Sequence, residues 1–375
     1  MINFLQTFEF KNGIKIKNRI VIPPMTECSS FEDGNVTKNE LDYFALRTGG
    51  AGIFITPASN VSSLGKGFEG QLSCASDDML PSLTQVANTI KVNGTKAILQ
   101  LHHAGRISDS KILRGQQAVG PSAVASLRPG SEIPRELTNE EILQIISDFG
   151  QATRRAIEAG FDGIELHGAK TYLIQQFFSP HSNRRSDDWG GSLKKRMKFP
   201  LAVVEQVHKI VERYADRPFI IGYRISPEEI ETPGIRLADT LALIDVLKKQ
   251  PIDYLHISTR DVWQTSKNDS DDQIPVVDQI KEHTKNEVPL IAVGNIAKPE
   301  EAEKVIEDGF NFVALGREML REPQWVEKVQ NGQEAGINYS LNETDLKQLR
   351  ITPPLWKFLT KKNTLQTNGR LTYFY

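Results

Sequence analysis

Three side chains that can donate a hydrogen bond or carry a proton follow one apolar run of the sequence. The run GFDGIEL, residues 160–166, is followed by His167, Lys170 and Tyr172 in the spacing H-x-x-K-x-Y. Because α/β folds keep their chemistry at the carboxyl ends of parallel strands, we expect these side chains to project into an active site. A lone histidine at a strand end is more often structural, but the spacing of all three favours a catalytic role.

Glycines near the end of the chain suggest a place for an anion. Gly294-Asn295 and Gly316-Arg317 end the last two candidate strands. Backbone amides can approach a phosphate closely where a residue lacks a side chain, and Arg317 can add a fork of donors. The alternative is that these glycines merely turn the chain, and on geometry alone the two interpretations carry equal weight.

Alternating strands and helices are needed to position these residues. Eight short apolar runs predict strands that begin near Arg19, Gly52, Lys96, Gly163, Phe219, Asp253, Leu290 and Phe312. Segments with helical spacing separate them, and Thr138 with Glu141, and Ser192, are candidate helix N-caps. Eight such alternations favour a closed (β/α)8 TIM barrel over an open doubly wound sheet. No G-x-G-x-x-G motif follows a strand, so a Rossmann site for nicotinamide is not indicated.

A hairpin is predicted ahead of the first barrel strand. Residues 8–17, FEFKNGIKIK, form two alternating runs joined by Asn12-Gly13, the preferred pair for a type I′ turn. We expect this hairpin to plug the N-terminal end of the barrel. The longer connections at 107–135 and 179–191 are expected to extend the opposite, active-site face. No linker or repeat is evident, so residues 1–375 are predicted to form a single domain.

Composition excludes several classes of function. The 375 residues carry 45 basic and 47 acidic side chains, which gives no strong field for a nucleic acid or a membrane surface. Two cysteines, Cys28 and Cys74, are too few for a disulfide framework or a four-cysteine metal site, so no metal is predicted. No leader or membrane-spanning stretch is evident, and we expect a cytoplasmic protein.

The strand-end residues together resemble the Old Yellow Enzyme family of FMN-dependent oxidoreductases. Four motifs carry the resemblance in the family's order: KNRIVIPPMT (17–26), LQLHHAGR (99–106), IELHGAKTYLIQQFFSPHSNRRSDDWGGS (164–192) and ALGREMLREP (314–323). The resemblance spans about residues 8–332, and residues 333–375 form a C-terminal extension beyond it. It implies a barrel that holds FMN non-covalently.

The resemblance also implies which residues bind the cofactor. The positions that surround the flavin ring in this family correspond to Pro24, Met25, Thr26, Ala58, Gln100 and Arg224. The phosphate positions correspond to Gly294, Asn295, Gly316 and Arg317. Arg224 would face the N1/O2 edge of the flavin, where a fixed guanidinium stabilises the negative charge of the reduced form.

The implied reaction is reduction of an activated C=C bond by NADH or NADPH. In the family, the positions of His167 and Lys170 donate hydrogen bonds to the carbonyl or nitro oxygen of the substrate, and that of Tyr172 protonates the adjacent carbon. Hydride reaches the β-carbon from flavin N5, so donors aimed at the oxygen stabilise the transition state. The nicotinamide diffuses into the same pocket, which gives ping-pong kinetics.

Three positions depart from the family pattern. Lys170 stands where histidine or asparagine is usual, and we expect its ammonium to favour anionic enoates, the alternative being that it turns to solvent. Thr26 replaces a cysteine found in one branch, and its hydroxyl can hydrogen-bond flavin O4. Cys28 falls where that branch has a substrate-contacting tyrosine, so it either lines the pocket or is a buried inert thiol.

Two other functions remain open from the sequence. A non-catalytic flavin-binding redox sensor would bind FMN without rapid reduction by NAD(P)H. A flavin-free aldolase would form a Schiff base at Lys170 and use the same phosphate loops. The sequence leaves the oligomeric state open, and the end of the chain, with Tyr373, Phe374 and Tyr375, is either a frayed tail or a segment that docks on the barrel or on a neighbouring subunit.

Overall fold

Eight parallel strands close on themselves in the computed structural model, which describes residues 2–361. The strands of the described residues are β1 (Phe8–Glu9), β2 (Lys15–Ile16), β3 (Ile20–Ile22), β4 (Ile53–Ile55), β5 (Ser59–Asn60), β6 (Lys96–His102), β7 (Val119–Gly120), β8 (Arg135–Glu136), β9 (Gly163–Gly168), β10 (Ile220–Ile225), β11 (Tyr254–Ser258), β12 (Leu290–Val293) and β13 (Phe312–Ala314). Each of β3, β4, β6 and β9 to β13 pairs in parallel with its neighbours, and the pairing of β13 with β3 closes the ring. The predicted TIM barrel is confirmed.

Helices lie between the barrel strands. In the described part of the chain they are α1 (Lys38–Arg47), α2 (Leu80–Ile90), α3 (Asn139–Glu158), α4 (Leu173–Phe178), α5 (Leu193–Arg196), α6 (Lys198–Tyr214), α7 (Leu237–Leu247), α8 (Val276–Thr284), α9 (Pro299–Glu307), α10 (Arg317–Arg321), α11 (Trp325–Gln330) and α12 (Pro353–Lys361). Thr138 and Glu141 form the predicted capping box at the start of α3. Ser192 caps α5 by accepting from the Lys195 amide. Within residues 2–361, none of the helices combines the length and the apolar character needed to cross a membrane.

The predicted N-terminal hairpin is present and covers one end of the barrel. Strands β1 and β2 pair antiparallel, with Phe8 opposite Ile16. The Phe10 ring stacks on Phe312, at 5.5 Å between ring centroids, inside an apolar cluster of barrel residues. The predicted type I′ turn is wrong, because only Gly13 has a left-handed backbone, at φ +86°. Three residues separate the Phe10 and Ile14 backbone partners, and a loop of that length places its glycine in a bulge.

The barrel interior changes from apolar to polar along its strands. Its N-terminal half is filled by inward-facing Ile98, Ile220 and Ile291, all fully buried. Gln100 lies two residues beyond Ile98 and Arg224 lies four residues beyond Ile220, so both are at inward-facing positions, since the side-chain period of a strand is two. The carboxyl end of the barrel is therefore the face that can do chemistry.

The C-terminal extension packs on the barrel as far as the structure describes it. Leu349, Ile351 and Leu355 are buried. The guanidinium of buried Arg47 donates to the Leu349 carbonyl at 3.0 Å. The Ser29 and Thr352 hydroxyls are 2.6 Å apart, so the extension is joined to the loop that follows β3. The predicted tail around Tyr373 to Tyr375 lies outside the described residues.

Candidate active site

Strand register brings three polar side chains into one row at the mouth of the barrel. His167 on β9 is opposite Arg224 on β10, and Arg224 is opposite His256 on β11. All three are buried, with exposed fractions of 5, 8 and 0%. Burial, together with the nearby charges of Arg224 and Lys170, lowers the pKa of His167 well below its ordinary value. His167 is therefore a neutral imidazole beside a permanent cation.

A buried carboxylate lies one layer below this row. Glu165 accepts hydrogen bonds from Gln100 Nε2 at 2.7 Å, from His256 Nδ1 at 2.9 Å and from the Tyr254 hydroxyl at 3.1 Å. Burial alone raises the pKa of Glu165, but His256, Arg224 and Gln100 together hold it below its ordinary value. Glu165 is thus an ionised group that balances the charge of Arg224 and fixes its neighbours.

Space for Tyr254 in this layer depends on a glycine. Gly222 faces Tyr254 across the β10–β11 pair, and a Cβ atom at position 222 would collide with the Tyr254 ring. Burial and Glu165 raise the pKa of Tyr254, so its hydroxyl stays protonated and acts as a donor. The glycine therefore allows the third hydrogen bond to Glu165.

A cluster of three rings lies at the mouth of the site. The Tyr172 ring packs edge-on against His102 and His167, with centroids 4.2 and 4.9 Å away. The two imidazoles are 5.6 Å apart. The structure thus brings together predicted residues from the end of β9 and a histidine from the end of β6.

Lys170 and Tyr172 reach this position through a left-handed bend. Lys170 has φ +58° and Thr171 has φ +65°. The side chains of Lys170 and Tyr172 are half-buried. The charge of Lys170 contributes to lowering the pKa of both His167 and His256, so its ammonium acts on the site. Its predicted role toward a substrate stays a prediction.

The other predicted flavin-ring residues follow barrel strands at the same, carboxyl end of the barrel. Pro24, Met25 and Thr26 follow β3 and are half-buried, and Ala58 follows β4. Because its amide nitrogen donates to Glu165, the Gln100 side chain has a fixed orientation, and its buried Oε1 has no hydrogen-bond partner within residues 2–361. An acceptor left unpaired in this way fits an N–H donor on a ligand, such as the imide edge of a flavin.

The predicted phosphate residues meet at the ends of β12 and β13. Arg317 donates to Asn295 Oδ1 at 2.6 Å. Gly294 has φ +144°, and a Cβ there would come within 2.8 Å of the Asp261–Val262 backbone, so only glycine fits. Gly316 leaves ordinary room for a Cβ, with Pro23 at 3.5 Å, so packing alone does not demand glycine there. Gly294 and Asn295 form a close-approach loop that an anion can use.

Cys28 lies beside the flavin-ring loop, and the structure leaves both of its predicted roles standing. It is half-buried and has a left-handed backbone at φ +52°. The Cys28 carbonyl packs closely on Gly70, and a Cβ atom at position 70 would collide with that carbonyl. The preceding residue, Glu27, is 3% exposed, and burial and Glu40 raise the pKa of its carboxyl well above the ordinary value.

Sequence reasoning gave no role to Glu165, Tyr254, His256 or His102. A signal was available for two of them, because the side-chain period of a strand is two. Glu165 precedes His167 by two residues, and His102 follows Gln100 by two, so each shares a face with a predicted site residue. Tyr254 and His256 lie on β11, whose only sequence signal is a short apolar run.

Comparison with known proteins gives a consistent result. Residues 4–335 match the model of the NADH:flavin oxidoreductase / NADH oxidase family. The chain is 45% identical over 368 residues to the probable NADH-dependent flavin oxidoreductase YqiG of Bacillus subtilis, covering 98% of this chain and 97% of that protein. It is 43% identical over 362 residues to the NADH:acrylate oxidoreductase of Vibrio harveyi, covering 96% of this chain but 36% of that protein. The chain therefore spans about a third of the length of this second relative.

A solved structure extends the comparison to three dimensions. Morphinone reductase in complex with tetrahydroNAD is 26% identical to this chain, with a TM-score of 0.76. The match covers 92% of this chain and 94% of morphinone reductase. The barrel and its order of elements are thus shared with a structure that holds a nicotinamide analogue.

Proposed function

The chain belongs to the NADH:flavin oxidoreductase / NADH oxidase family, the Old Yellow Enzyme family, and from this premise we propose that it uses FMN to reduce activated C=C bonds. It is an NAD(P)H-dependent flavin oxidoreductase. In the proposed reaction, NADH or NADPH and a proton convert the C=C bond to a CH–CH unit and release NAD(P)⁺. The two half-reactions use one pocket in turn.

FMN fits the residues at the carboxyl end of the barrel. The unpaired Gln100 Oε1 can accept from the flavin imide, and the loop at Gly294 and Asn295, with Arg317, can hold the phosphate. Pro24, Met25, Thr26, Ala58 and Gly316 would complete the pocket, as the family resemblance implies. When bound there, FMN supplies reversible hydride transfer.

The charges of the site favour an anion. Arg224 and Lys170 contribute two positive charges, and Glu165 contributes one negative charge. Arg224 would stabilise negative charge on a reduced flavin held there, because its guanidinium is always charged and is screened from water. Glu165 holds Gln100 and His256 in place and limits the excess positive charge.

At the substrate end, neutral and charged donors act together. The Ala169 amide donates to His167 Nδ1 at 3.4 Å, a long hydrogen bond that nevertheless leaves the proton of the neutral ring on Nε2. His167 Nε2 and the Lys170 ammonium then donate to the substrate oxygen, where negative charge develops. The Tyr172 hydroxyl holds the proton that is delivered to the adjacent carbon.

Lys170 is proposed to favour substrates that carry a carboxylate. An ammonium interacts with a carboxylate more strongly than with a neutral carbonyl, since both partners are charged. The relative from Vibrio harveyi is named for acrylate, an unsaturated carboxylate, which agrees with this idea. That relative is much longer than this chain, so the preference rests on Lys170 itself.

The contact of Tyr172 with His102 and His167, directly above the Gln100–Glu165 pair, is the observation that carries the proposal. A visible absorption spectrum of the purified protein tests it, followed under anaerobic conditions as NADH and then NADPH are added. We expect flavin bands that bleach and that return when an enone is mixed in. Bands that never bleach would support the sensor function. Absence of flavin even after FMN is added, with borohydride trapping of a carbonyl compound on Lys170, would support the aldolase.

A further inference from the structure

We propose that His102 is a third donor to the substrate, presenting its Nε2–H beside His167 and Lys170 to bind the second oxygen of a carboxylate. This inference rests on the proposed function, and it concerns which substrates that function accepts. The family resemblance gave His102 no role, and the hydrogen bonds of Gln71 set its tautomer.

The amide of Gln71 has only one possible orientation. The Gly67 amide donates to Gln71 Oε1 at 2.7 Å, so that atom is the carbonyl oxygen. Gln71 Nε2 donates to the Ala58 carbonyl at 2.9 Å. If the amide were reversed, the Gln71 NH₂ group would face the Gly67 N–H and the Gln71 oxygen would face the Ala58 carbonyl. Both of these hydrogen bonds would then be lost.

This orientation fixes the tautomer of His102. Gln71 Nε2 lies 3.0 Å from His102 Nδ1, and an amide nitrogen can only donate, so Nδ1 is the acceptor. In a neutral imidazole the proton is then on Nε2. Burial lowers the pKa of His102 to about 3, with a smaller contribution from His103, so the ring is neutral at physiological pH.

The donor that results has no hydrogen-bond partner among residues 2–361. His102 is fully buried, and its Nε2 makes no hydrogen bond within the described residues. Leaving a buried N–H unpaired costs free energy, which a ligand that accepts from it would recover. The His102 ring packs on Tyr172 and faces His167, so this N–H belongs to the same site.

Three donors match a carboxylate better than a ketone. A ketone presents one oxygen, which His167 and Lys170 suffice to bind, whereas a carboxylate presents two oxygens and about four lone-pair sites. His102 would be the third donor and is itself neutral. It adds a hydrogen bond to the anion and needs no deprotonation or movement of its own. We therefore expect His102 to contribute more to anionic than to neutral ligands.

The test combines a binding and a spectroscopic measurement on the FMN-loaded protein. Benzoate, a flat carboxylate that cannot be reduced, is titrated against the flavin absorption bands, with benzamide as the neutral probe. We expect His102→Phe, which keeps a flat ring but removes the donor, to weaken benzoate binding by about tenfold and benzamide binding much less. His103→Phe is the matched control, since His103 is the next residue along the chain and is also a buried neutral ring, but it lies outside the ring cluster.

Nitrogen-15 NMR of histidine-labelled protein reads the tautomer without any turnover. We expect the resonances that disappear in His102→Phe to be those of an Nε2–H tautomer, and Gln71→Leu to release this preference. A protonated Nδ1 in the wild-type protein would overturn the proposal. So would equal loss of benzoate affinity in His102→Phe and His103→Phe.

The two proposals fail in distinguishable ways. If NADH bleaches the flavin but His102→Phe binds benzoate as tightly as the wild-type protein, the role of His102 is refuted and the oxidoreductase function stands. If NADH does not bleach the flavin while benzoate binding depends on His102, the proposed reaction is refuted and the carboxylate site stands.

Discussion

The backbone amide of Lys170 donates a hydrogen bond to the Ser226 hydroxyl at 3.0 Å. Ser226 follows β10 and Lys170 follows β9, so the bond joins the loops after two neighbouring strands. The next amide, that of Thr171, donates to Gln175 Oε1 at 3.0 Å, and the Thr171 carbonyl accepts from Gln176 at 2.7 Å. Hydrogen bonds to the rest of the fold thus hold both left-handed residues of the bend.

Replacing Ser226 should therefore affect catalysis through the bend. A left-handed backbone costs about 1–2 kcal/mol for each residue other than glycine, so Lys170 and Thr171 need external support. We expect Ser226→Ala to slow the oxidative half-reaction by about tenfold, because Lys170 and Tyr172 lose their alignment. Stopped-flow oxidation of the reduced enzyme by 2-cyclohexenone measures the rate of this half-reaction.

A second substitution separates positioning from a general loss of stability. Glycine adopts a left-handed backbone at no steric cost, so Thr171→Gly should reduce the effect of Ser226→Ala when both are present. Thr138, the exposed N-cap of helix α3, supplies a control that lowers stability alone: Thr138→Ala should lower Tm without changing the half-reaction. Equal effects of Ser226→Ala in the threonine and glycine backgrounds would show that the bend is not what Ser226 supports.

Glu165→Gln should raise the reduction potential of the bound flavin. The substitution removes the buried anion that balances Arg224, so the site becomes more positive and the reduced flavin is stabilised. A rise on the order of 30 mV corresponds to about 1.4 kcal/mol for the two-electron couple. Equilibration with a reference dye measures the potential, and an unchanged or lower value would contradict the role assigned to Glu165.

The same variant should be markedly less stable. All three partners of Glu165 are donors, and the new amide NH₂ would face at least one of them without an acceptor. Breaking such a buried network costs about 3 kcal/mol. Urea unfolding measures this loss, and Glu141→Gln on the exposed capping box is the control, expected to cost less than about 1 kcal/mol because glutamine can also serve at this position.

Lys170→Asn should change which substrates are preferred. Removing the ammonium should lower kcat/KM for a carboxylated enone relative to 2-cyclohexenone by about tenfold, since a charge-assisted hydrogen bond is replaced by a neutral one. Lys170→Arg keeps the charge and should retain most of the preference. An unchanged ratio in Lys170→Asn would show that the lysine does not select anions.

The sequence predicted the barrel and the strand ends well because both depend on local patterns. Apolar runs, the Thr138–Glu141 cap and each single motif depend on residues close together in the sequence. Helix α4 was not predicted, because all six of its residues are buried and no polar face marks a helical period. The Glu165 network joins β6, β9 and β11, and no local pattern announces a contact between residues 165 and 256.

Gln71 shows the same limit for the ring cluster. It lies 31 positions before His102 in the sequence, so its role in fixing the tautomer becomes visible only once the loop after β5 is placed beside β6. Lys170 differs from Gln71, because the unusual residue type at position 170 was evident from the sequence. Its left-handed backbone was not. Residue type can therefore be read from the chain, but protonation and tautomer depend on contacts that only the fold creates.

Acid should destabilise the protein through its buried histidines. His102 and His103 have pKa values lowered to about 3 by burial, from an ordinary value of 6.5. Between these values the unfolded chain binds protons that the folded chain does not, so stability decreases as pH falls below about 6.5. Each histidine then contributes a slope of about 1.4 kcal/mol per pH unit.

His102→Phe should make stability less dependent on pH, because one proton fewer is taken up when the protein unfolds. We expect the free energy of unfolding, measured in urea between about pH 5 and pH 6, to fall less steeply in the variant by about 1.4 kcal/mol per unit. His103→Phe should reduce the slope by the same amount, because its ring is equally buried, although it is expected to leave benzoate binding intact. A slope unchanged by His102→Phe would mean that His102 takes up a proton in the folded state, and a charged ring could not be the neutral donor inferred from Gln71.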